Sequence, residues 1–349
     1  MAWGFCTGSR TLLVDVQRVV QPWALPEPDP HPLSMDLVPR ADALWDLLRA
    51  AVRQIPGERP RAALSGGLDS RAIALAASDR AGLTLGTFGE QDAVDLPVAA
   101  QVGRLLGVPH AITVLPGDAS RAGEERVFSA TGGLGGADAA PGAWTDARWA
   151  PDCDVLLSGM SGDVVWGDTP LGGRTPQARL RKLGVRVVGD PADGMPQAPA
   201  WASPSGAAAW LNLFTRQACV TWNGVLPRLA YTPVVPVCWE PHLLSFCLAL
   251  PAEDRAERAL LRTMLERHGP DVARVPAVRG ATCDLDRAMA TDPRWRAELD
   301  TMAADRDAWV RLGLDPRGVG RLLRLQRDGQ RRRGALVSRL RVLRRWTAL

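Results

Sequence analysis

The sequence predicts an α/β fold with a doubly wound parallel sheet, followed by a mainly helical C-terminal half. Two observations carry this prediction. Between residues 61 and 157, short apolar runs alternate with amphipathic stretches long enough for helices, which is the pattern of parallel strands joined by helical crossovers. From residue 207 onward, apolar residues recur mainly at helical spacing almost to the end of the chain.

The predicted elements follow one another in a regular order. Strands are expected at residues 62–64, 83–88, 110–115 and 153–157, and helices at 42–54, 69–81, 96–106, 119–130, 207–222, 240–250 and 255–268. Upstream, residues 11–20 predict short strands, and the prolines between 22 and 32 predict a connection that is not helical. Two stretches rich in glycine, alanine or proline, 131–142 and 189–206, predict surface loops.

The composition is that of an ordinary globular protein, with 46% apolar and 23% charged residues among 349. Arginine is concentrated between residues 317 and 345; we interpret this tail as a solvated helix face and do not expect nucleic acid as a partner. The six cysteines form no C-x-x-C pair, so neither a zinc site nor a disulfide framework is expected. Without a leader or a long apolar run, a cytoplasmic location and no membrane partner are expected.

A glycine-rich loop, SGGLDS at residues 65–70, lies between the first predicted strand and the next helix. Adjacent glycines let a backbone approach an anion closely, and the start of a helix presents N–H groups that have no partner within the helix. We therefore expect the amides of this loop and the hydroxyls of Ser65 and Ser70 to be open to the phosphates of a nucleotide. The alternative is a glycine turn in which Asp69 and Ser70 only cap a helix.

Three further strings accompany this loop. Thr87-Phe88-Gly89 ends the second predicted strand, SGMSGD at 158–163 follows the fourth, and VPV at 235–237 precedes a late helix. With the loop, they resemble four segments of the asparagine synthase family of N-type ATP pyrophosphatases: its pyrophosphate loop, its adenine-binding segment, its S-G-E-G-S-D-E signature and its R-x-P-F-L-D segment. The resemblance runs from about residue 44 to residue 279 and covers the synthetase domain of that family.

The resemblance implies an ATP-dependent, amide-forming ligase that activates a carboxylate as an acyl-adenylate, releasing pyrophosphate and then AMP. ATP and Mg²⁺ are the implied cofactors. The implied nucleotide-binding residues are Ser65, Gly66, Gly67, Leu68, Asp69, Ser70, Thr87, Phe88, Gly89, Ser158 and Gly159. The implied magnesium ligands, Asp69 and Asp163, also follow the first and fourth strands, which can meet at the switch point of a doubly wound sheet.

The implied catalytic residues are Asp69, Asp163 and Arg279. Arg279 lies in the stretch where the family has a lysine, and an ordinary surface arginine is an equally weighted alternative. His110 resembles a family histidine, for which structural packing is likewise an even alternative. Arg71 stands where the family has a small residue, so it would either pair with phosphate or face solvent.

Other departures from the family bear on the substrate. Ala2 stands where the glutamine-hydrolysing half has its nucleophilic cysteine. We therefore expect residues 1–40 to be a remnant of that half, 41–290 to form the synthetase domain and 291–349 to form an arginine-rich helical region. Nitrogen would then come from ammonia, a substrate amine or a separate amidotransferase.

Met160 and Val164 replace acidic residues of the second signature, which puts the amide-forming step in question. A specialised small-molecule or peptide carboxylate, as in β-lactam synthetases and lasso-peptide cyclases, is therefore slightly favoured over plain asparagine synthesis. A precursor peptide and a second copy of the chain are the other partners considered. The alternative from another class is a degenerate ATP-binding or scaffold protein without turnover.

Overall fold

Five parallel strands form the centre of the fold. The computed structural model describes residues 25–131, 136–137, 139–167, 197–213, 217, 225, 227–278, 284–330 and 334–346. The strands are β1 (Pro60–Ala63), β2 (Thr84–Gly89), β3 (His110–Val114), β4 (Val155–Ser158) and β5 (Val234–Pro236), and their order across the sheet is β3-β2-β1-β4-β5. This order, with helices on both faces, confirms the predicted fold class. The strands expected at residues 11–20 lie outside the described residues.

Eighteen α-helices are assigned among the described residues. Those of the first half are α1 (Pro30–Leu33), α2 (Leu37–Gln54), α3 (Leu68–Ala77), α4 (Asp95–Leu106), α5 (Ala119–Ala122), α6 (Glu124–Ala130), α7 (Ala140–Trp149) and α8 (Gly162–Val165). Those of the second half are α9 (Pro204–Asn212), α10 (Pro241–Ala249), α11 (Ala252–Arg255), α12 (Ala259–His268), α13 (Pro270–Arg274), α14 (Leu285–Thr291), α15 (Pro293–Ala304), α16 (Arg306–Arg311), α17 (Pro316–Arg327) and α18 (Gly334–Trp346). The predicted helical C-terminal half is therefore confirmed.

The strand order puts the switch point of the sheet between β1 and β4. Strand β1 pairs with β2 on one side and with β4 on the other, so Arg61 lies between Thr84 and Leu156. The connections from these two neighbours leave in opposite directions, which opens a crevice beyond their carboxyl ends. The loops that follow β1 and β4 are therefore brought together, as the sequence predicted.

Two apolar clusters cover the two faces of the sheet. The larger one joins the sheet to helices α2, α3, α10 and α12, and α2 contributes a stripe of buried residues, among them Leu44 and Leu48. On the opposite face, Trp149 packs with Leu156 and Val234. A Cβ at Gly86 would lie 2.8 Å from the Trp149 ring, so only glycine lets this indole lie directly on the sheet.

Several predicted boundaries are wrong for identifiable reasons. The proline-rich connection ends in the one-turn helix α1, because Asp29 caps it and Pro30 occupies a first-turn position that needs no N–H donor. The helix expected at 119–130 is divided at Gly123. The helix expected at 255–268 is interrupted by Glu257 and Arg258, which adopt positive φ angles of 48° and 61°.

The loop predictions were also too long. Helix α7 begins at Ala140, inside the loop expected at 131–142, and α9 begins at Pro204, inside the loop expected at 189–206. The remainder of the helix expected at 207–222 lies largely outside the described residues. Within the described residues, no helix combines the length and the apolar character that crossing a bilayer requires.

The C-terminal helices enclose an apolar cluster of their own around Trp295, Trp309 and Leu323. The arginines of α18 are not simply solvated, which corrects the interpretation of the tail: Arg341 pairs with Glu124 and Glu298, and Arg344 and Arg345 also pair with carboxylates. On α17 the interpretation holds for Arg317, Arg321 and Arg324, whose side chains are exposed, but not for Arg327, which pairs with Asp300 and Asp328. The packing of α18 beside carboxylates of both halves of the chain distinguishes its arginines from the exposed ones of α17.

Candidate active site

The glycine loop at 65–70 is held from both sides at Gly66. The Gly66 N–H donates to Asp95 Oδ1 at 2.9 Å, and the Gly66 carbonyl accepts from the Val278 N–H at 3.1 Å. A Cβ on Gly66 would lie 2.1 Å from Val278 Cγ2 and 2.7 Å from Asp95 Oδ1. Position 66 therefore requires glycine because two neighbours close on it, and the loop has one fixed shape.

The expectation that all six loop amides are open is wrong for three of them. The Ser65 N–H donates to Ser70 Oγ at 3.0 Å, the Gly67 N–H donates to Ser65 Oγ at 3.2 Å, and the Gly66 N–H is taken by Asp95. The two serine hydroxyls also contact each other at 2.9 Å. These side chains therefore shape the loop, which is a use of Ser65 and Ser70 that the sequence did not reveal.

The N–H groups in the first turn of α3 remain without hydrogen-bond acceptors among the described residues. Among the described residues, no acceptor contacts the N–H groups of Leu68, Asp69 and Ser70, and Gly67 at the N-cap position offers no side chain to cap them. These three amides and the positive end of the helix dipole are what an anion would meet. The open donors of this segment are thus those of the helix tip, which is placed by an inner loop that is already bonded.

The second signature packs directly against the first loop. A Cβ at Gly159 would lie 3.0 Å from Ser70 N, and a Cβ at Gly162 would lie 2.8 Å from the Cβ of Asp69. Between these glycines, Ser161 takes a left-handed conformation with φ of 69°, and the Gly162 N–H closes the turn onto the Gly159 carbonyl at 3.0 Å. The two loops, remote in sequence, therefore form one surface with Asp69 at their junction.

Asp69 lies in a polar contact that the sequence did not predict. Its Oδ1 accepts from the Trp166 indole N–H at 2.7 Å and from the Arg258 guanidinium at 2.9 Å. Burial raises the pKa of the Asp69 carboxyl, and the charge of Asp163 acts in the same direction, whereas Arg258 and Trp166 oppose the shift. An ionised Asp69 is therefore costly here unless further positive charge arrives.

The carboxylates of Asp69 and Asp163 fit a divalent cation carried by a nucleotide. Both described donors reach Oδ1 of Asp69, and none of the described residues donates to Oδ2. The negative charge of Asp163 raises the pKa of Asp69, and a cation beside Asp69 would oppose that effect. The described residues contain no group of three or more His, Cys, Asp or Glu side chains around a metal position, so phosphate oxygens and water would complete the shell.

Arg258 is the functional candidate that sequence reasoning missed. It lies at the start of α12 with Glu257 before it, both at positive φ, a conformation that costs a non-glycine residue about 1–3 kcal/mol. A Cβ at Gly167 would lie 3.4 Å from Arg258 Nε, so the absence of a side chain there leaves room for the guanidinium. Strain of this kind persists where the surroundings require one side-chain position, which here is the contact with Asp69.

The short helix α8, which carries Asp163, is supported by a buried arginine. The Arg255 guanidinium donates to the carbonyls of Val164 and Val165 and to that of Cys247 in α10, at 2.6–2.7 Å. Arg255 is 3% exposed. A cation at the carboxyl end of a helix satisfies carbonyls that lack partners within the helix. Arg255 therefore fixes the orientation of the second signature.

In the predicted adenine segment, the Thr87 hydroxyl is used inside the protein. Thr87 Oγ1 donates to the Leu64 carbonyl at 2.6 Å and contacts His110 Nε2 at 2.8 Å. A hydroxyl has one proton, so His110 Nε2 must be the donor in the second contact. Phe88 packs edge-on against Trp149, and Gly89 ends β2. The packing role of His110, left open by the sequence, is the one that this geometry supports.

Burial lowers the pKa of the His110 imidazole below its usual 6.5. As the pH falls, the unfolded chain therefore binds a proton at His110 before the folded chain does. The free energy of unfolding is unaffected by this residue above about pH 6.5 and decreases progressively as the pH falls below that value. We expect His110→Gln, which keeps an N–H donor, to lose less stability between pH 7.5 and 5.5 than the wild type. Urea midpoints at the two pH values measure this, and equal losses would contradict it.

Arg279 lies outside the described residues, but its neighbour does not. The N–H of Val278 donates to the Gly66 carbonyl at 3.1 Å, so the described chain before this point is held on the glycine loop. Arg71 neither pairs with phosphate nor faces solvent: it is 0% exposed and donates to backbone carbonyls of Gly66 and of residues 272–276. Both expectations for Arg71 are therefore wrong.

The two altered positions of the second signature are apolar in their surroundings as well. Met160 packs against the cluster around Trp149 and Val225, and Val164 is 1% exposed in the main core. Neither position offers an acid or a base. Ser158, the last residue of β4, accepts a hydrogen bond through Oγ from the Met160 N–H at 3.2 Å.

The family model described as asparagine synthase matches residues 43–229 of the chain. This span exceeds half of the 349 residues and contains the glycine loop, Thr87–Gly89 and the second signature. Among curated proteins, none matches the chain closely enough to indicate a relationship. A five-stranded parallel sheet with a glycine loop at its switch point agrees with this match, and the chain belongs to the asparagine synthase family, whose synthetase domain binds ATP and forms amides.

Proposed function

We propose that this protein activates a carboxylate with ATP, forming an acyl-adenylate and pyrophosphate, and then transfers the acyl group to nitrogen with release of AMP. The single observation that carries the proposal is the meeting of the two glycine loops around Asp69. This arrangement puts three helix-tip amides, one strained arginine and two carboxylates on one surface. Such a surface suits a triphosphate better than any neutral ligand.

In the first step, an oxygen of the substrate carboxylate bonds to the α-phosphorus, and the bond from that phosphorus to the pyrophosphate breaks. The amides of Leu68, Asp69 and Ser70 donate to the departing phosphates, and Arg258 provides a cation beside them. Mg²⁺ held by Asp69 and Asp163 would neutralise phosphate charge when bound. Because these groups are fixed before ATP arrives, little reorganisation is needed as charge develops on the pyrophosphate.

In the second step, an amine attacks the acyl carbon and AMP leaves. Met160 and Val164 provide no acid or base at these two positions, so we assign the proton of the amine to the substrate, the phosphate of AMP or water. This supports a specialised substrate, either a small molecule or a precursor peptide that brings its own amine, over free ammonia and aspartate. A separate amidotransferase is the remaining nitrogen source in the proposal.

Hydroxylamine trapping tests the first step without knowledge of the natural amine. The protein is incubated with ATP, Mg²⁺, hydroxylamine and a panel of amino acids, dicarboxylates and peptides, and AMP, pyrophosphate and hydroxamate are measured. Equal amounts of all three are expected for an accepted carboxylate. ADP with inorganic phosphate would contradict cleavage at the α-phosphorus.

A scaffold protein without turnover is the second candidate, and the loss of both acidic residues at Met160 and Val164 favours it. Equilibrium binding of ATP in the same buffer distinguishes the candidates. Tight binding without AMP formation for any carboxylate would support the scaffold and overturn the ligase.

A further inference from the structure

We propose that Arg71 is a positioning residue for the adenylation step: its guanidinium fastens the segment 272–278 onto the glycine loop that binds the pyrophosphate. The inference rests on the proposed function, because it assigns Arg71 a part in that reaction. It concerns a residue that contacts neither substrate nor metal. Its action passes through the backbone of two segments.

The hydrogen bonds of Arg71 join parts of the chain that are far apart in sequence. Its NH1 donates to the carbonyls of Val272 and Val275 at 3.1 and 2.5 Å, and its NH2 donates to the carbonyls of Gly66 and Pro276 at 3.3 and 3.5 Å. One planar guanidinium thus connects the loop to the end of α13. A lysine, with a single nitrogen, cannot span these acceptors in the same way.

The same junction is closed by a second bond and by packing. The Val278 N–H donates to the Gly66 carbonyl, which therefore accepts from both Val278 and Arg71. The side chain of Val278 fills the space over Gly66, where a Cβ would lie 2.1 Å from it. The segment is therefore docked on the loop residue that also bonds Asp95, directly beneath the helix tip that would hold the phosphates.

Stability alone is a poor reason for this arrangement. Burial lowers the pKa of the Arg71 guanidinium, and no described carboxylate pairs with it. Arg71 Nε also has no hydrogen-bond partner among the described residues. A buried charge of this kind stabilises a fold less than apolar packing of similar volume. What the guanidinium supplies instead is a direct connection that holds the segment 272–276 at a fixed position on the loop.

Arg80 provides a matched control on the side of the sheet where β1 begins. Its guanidinium also donates to three backbone carbonyls, those of Val52, Ile55 and Gly57, at 2.5–3.1 Å. These acceptors lie at the end of α2, before β1, on the edge of the sheet opposite to the site. If the hydrogen bonds to backbone carbonyls were merely structural in both places, Arg71→Ser and Arg80→Ser should therefore change kcat to the same extent.

The test compares wild type, Arg71→Ser, Arg71→Lys and Arg80→Ser in the hydroxamate assay. We expect kcat to fall about 10²-fold in Arg71→Ser, since a displacement of about 1 Å at a reacting group has that effect. The dissociation constant for ATP should change by less than about 3-fold, because the helix-tip amides remain. Arg71→Lys should fold and still lose about 10-fold in kcat. Arg80→Ser should lower Tm while keeping kcat, and methylguanidinium should restore part of the activity of Arg71→Ser only.

Hydrogen exchange of residues 270–278 provides a readout that does not depend on turnover. In Arg71→Ser and Arg71→Lys, the amide of Val278 should exchange at least about 10-fold faster than in the wild type, with no such change in Arg80→Ser. Failure of the wild type to form hydroxamate would overturn the proposed function and leave the exchange result as the test of the clamp. Unchanged exchange in Arg71→Lys, or equal losses of kcat in Arg71→Ser and Arg80→Ser, would overturn the inference itself.

Discussion

Replacement of Asp69 by asparagine is expected to reduce the release of pyrophosphate by about 10³-fold or more, because a carboxylate that neutralises the nucleotide's metal contributes several kcal/mol. The fold should remain. Asparagine retains an Oδ1 that accepts from Trp166 and Arg258. Burial raises the pKa of the Asp69 carboxyl, so its ionised form costs folding free energy at neutral pH, and the variant should not melt below the wild type.

Asp79→Asn is the control for this variant. Asp79 follows the same helix, is 54% exposed and pairs with Arg49 and Arg53 on the surface. Its replacement removes the same charge at a distance from the helix tip, and activity should stay within about 2-fold, as for most exposed ion pairs. Pyrophosphate release and Tm are measured for both variants. Activity of Asp69→Asn above a tenth of the wild type would remove this carboxylate from the mechanism.

Arg258→Ala is expected to lower kcat/KM for ATP by about 10²–10³-fold, the usual cost of removing one fixed donor from developing charge. The variant also leaves the buried Asp69 without its cation. The pKa of Asp69 should then rise further, so the variant should need a higher pH than the wild type to reach its maximal rate. A pH profile of pyrophosphate release therefore distinguishes loss of a cation at the site from general destabilisation.

Arg262→Ala serves as the matched variant for Arg258. Arg262 lies on the same helix, is exposed and donates through Nε to the Glu257 carbonyl at 3.0 Å. Its truncation should leave both kcat/KM and the pH profile close to those of the wild type. Equal effects of the two truncations would show that only the start of α12 matters, not the guanidinium beside Asp69.

Local patterns explain why so much of the fold was predictable. The glycines of the loop, the alternating apolar runs and the position of Asp163 after the fourth strand are each visible within a few residues, and each has one physical explanation. The errors are also local. The break at Gly123 lies against Ala140, and the second break lies beside the contact of Arg258 with Asp69, so contacts with other elements override the helical preference of these segments.

The partners of the site residues were not predictable in the same way. Arg258 and Trp166 reach Asp69 from positions 189 and 97 residues away, and Arg71 reaches carbonyls 201 residues away or more. Nothing in the composition of these segments marks one arginine among many. The sequence predicted that Arg71 would face phosphate or solvent, whereas the packing of α13 against the loop buries it.

The amino-acid sequence by itself determined the kind of sheet, the place of the glycine loop at a helix start and the positions of two carboxylates after the first and fourth strands, because these depend on residue type and short-range order. The tertiary structure alone decided which amides remain open and which partners each arginine reaches. That division has one physical reason: a side chain's role is set by the atoms within about 3 Å of it, and in this chain those atoms come from segments that only folding brings together.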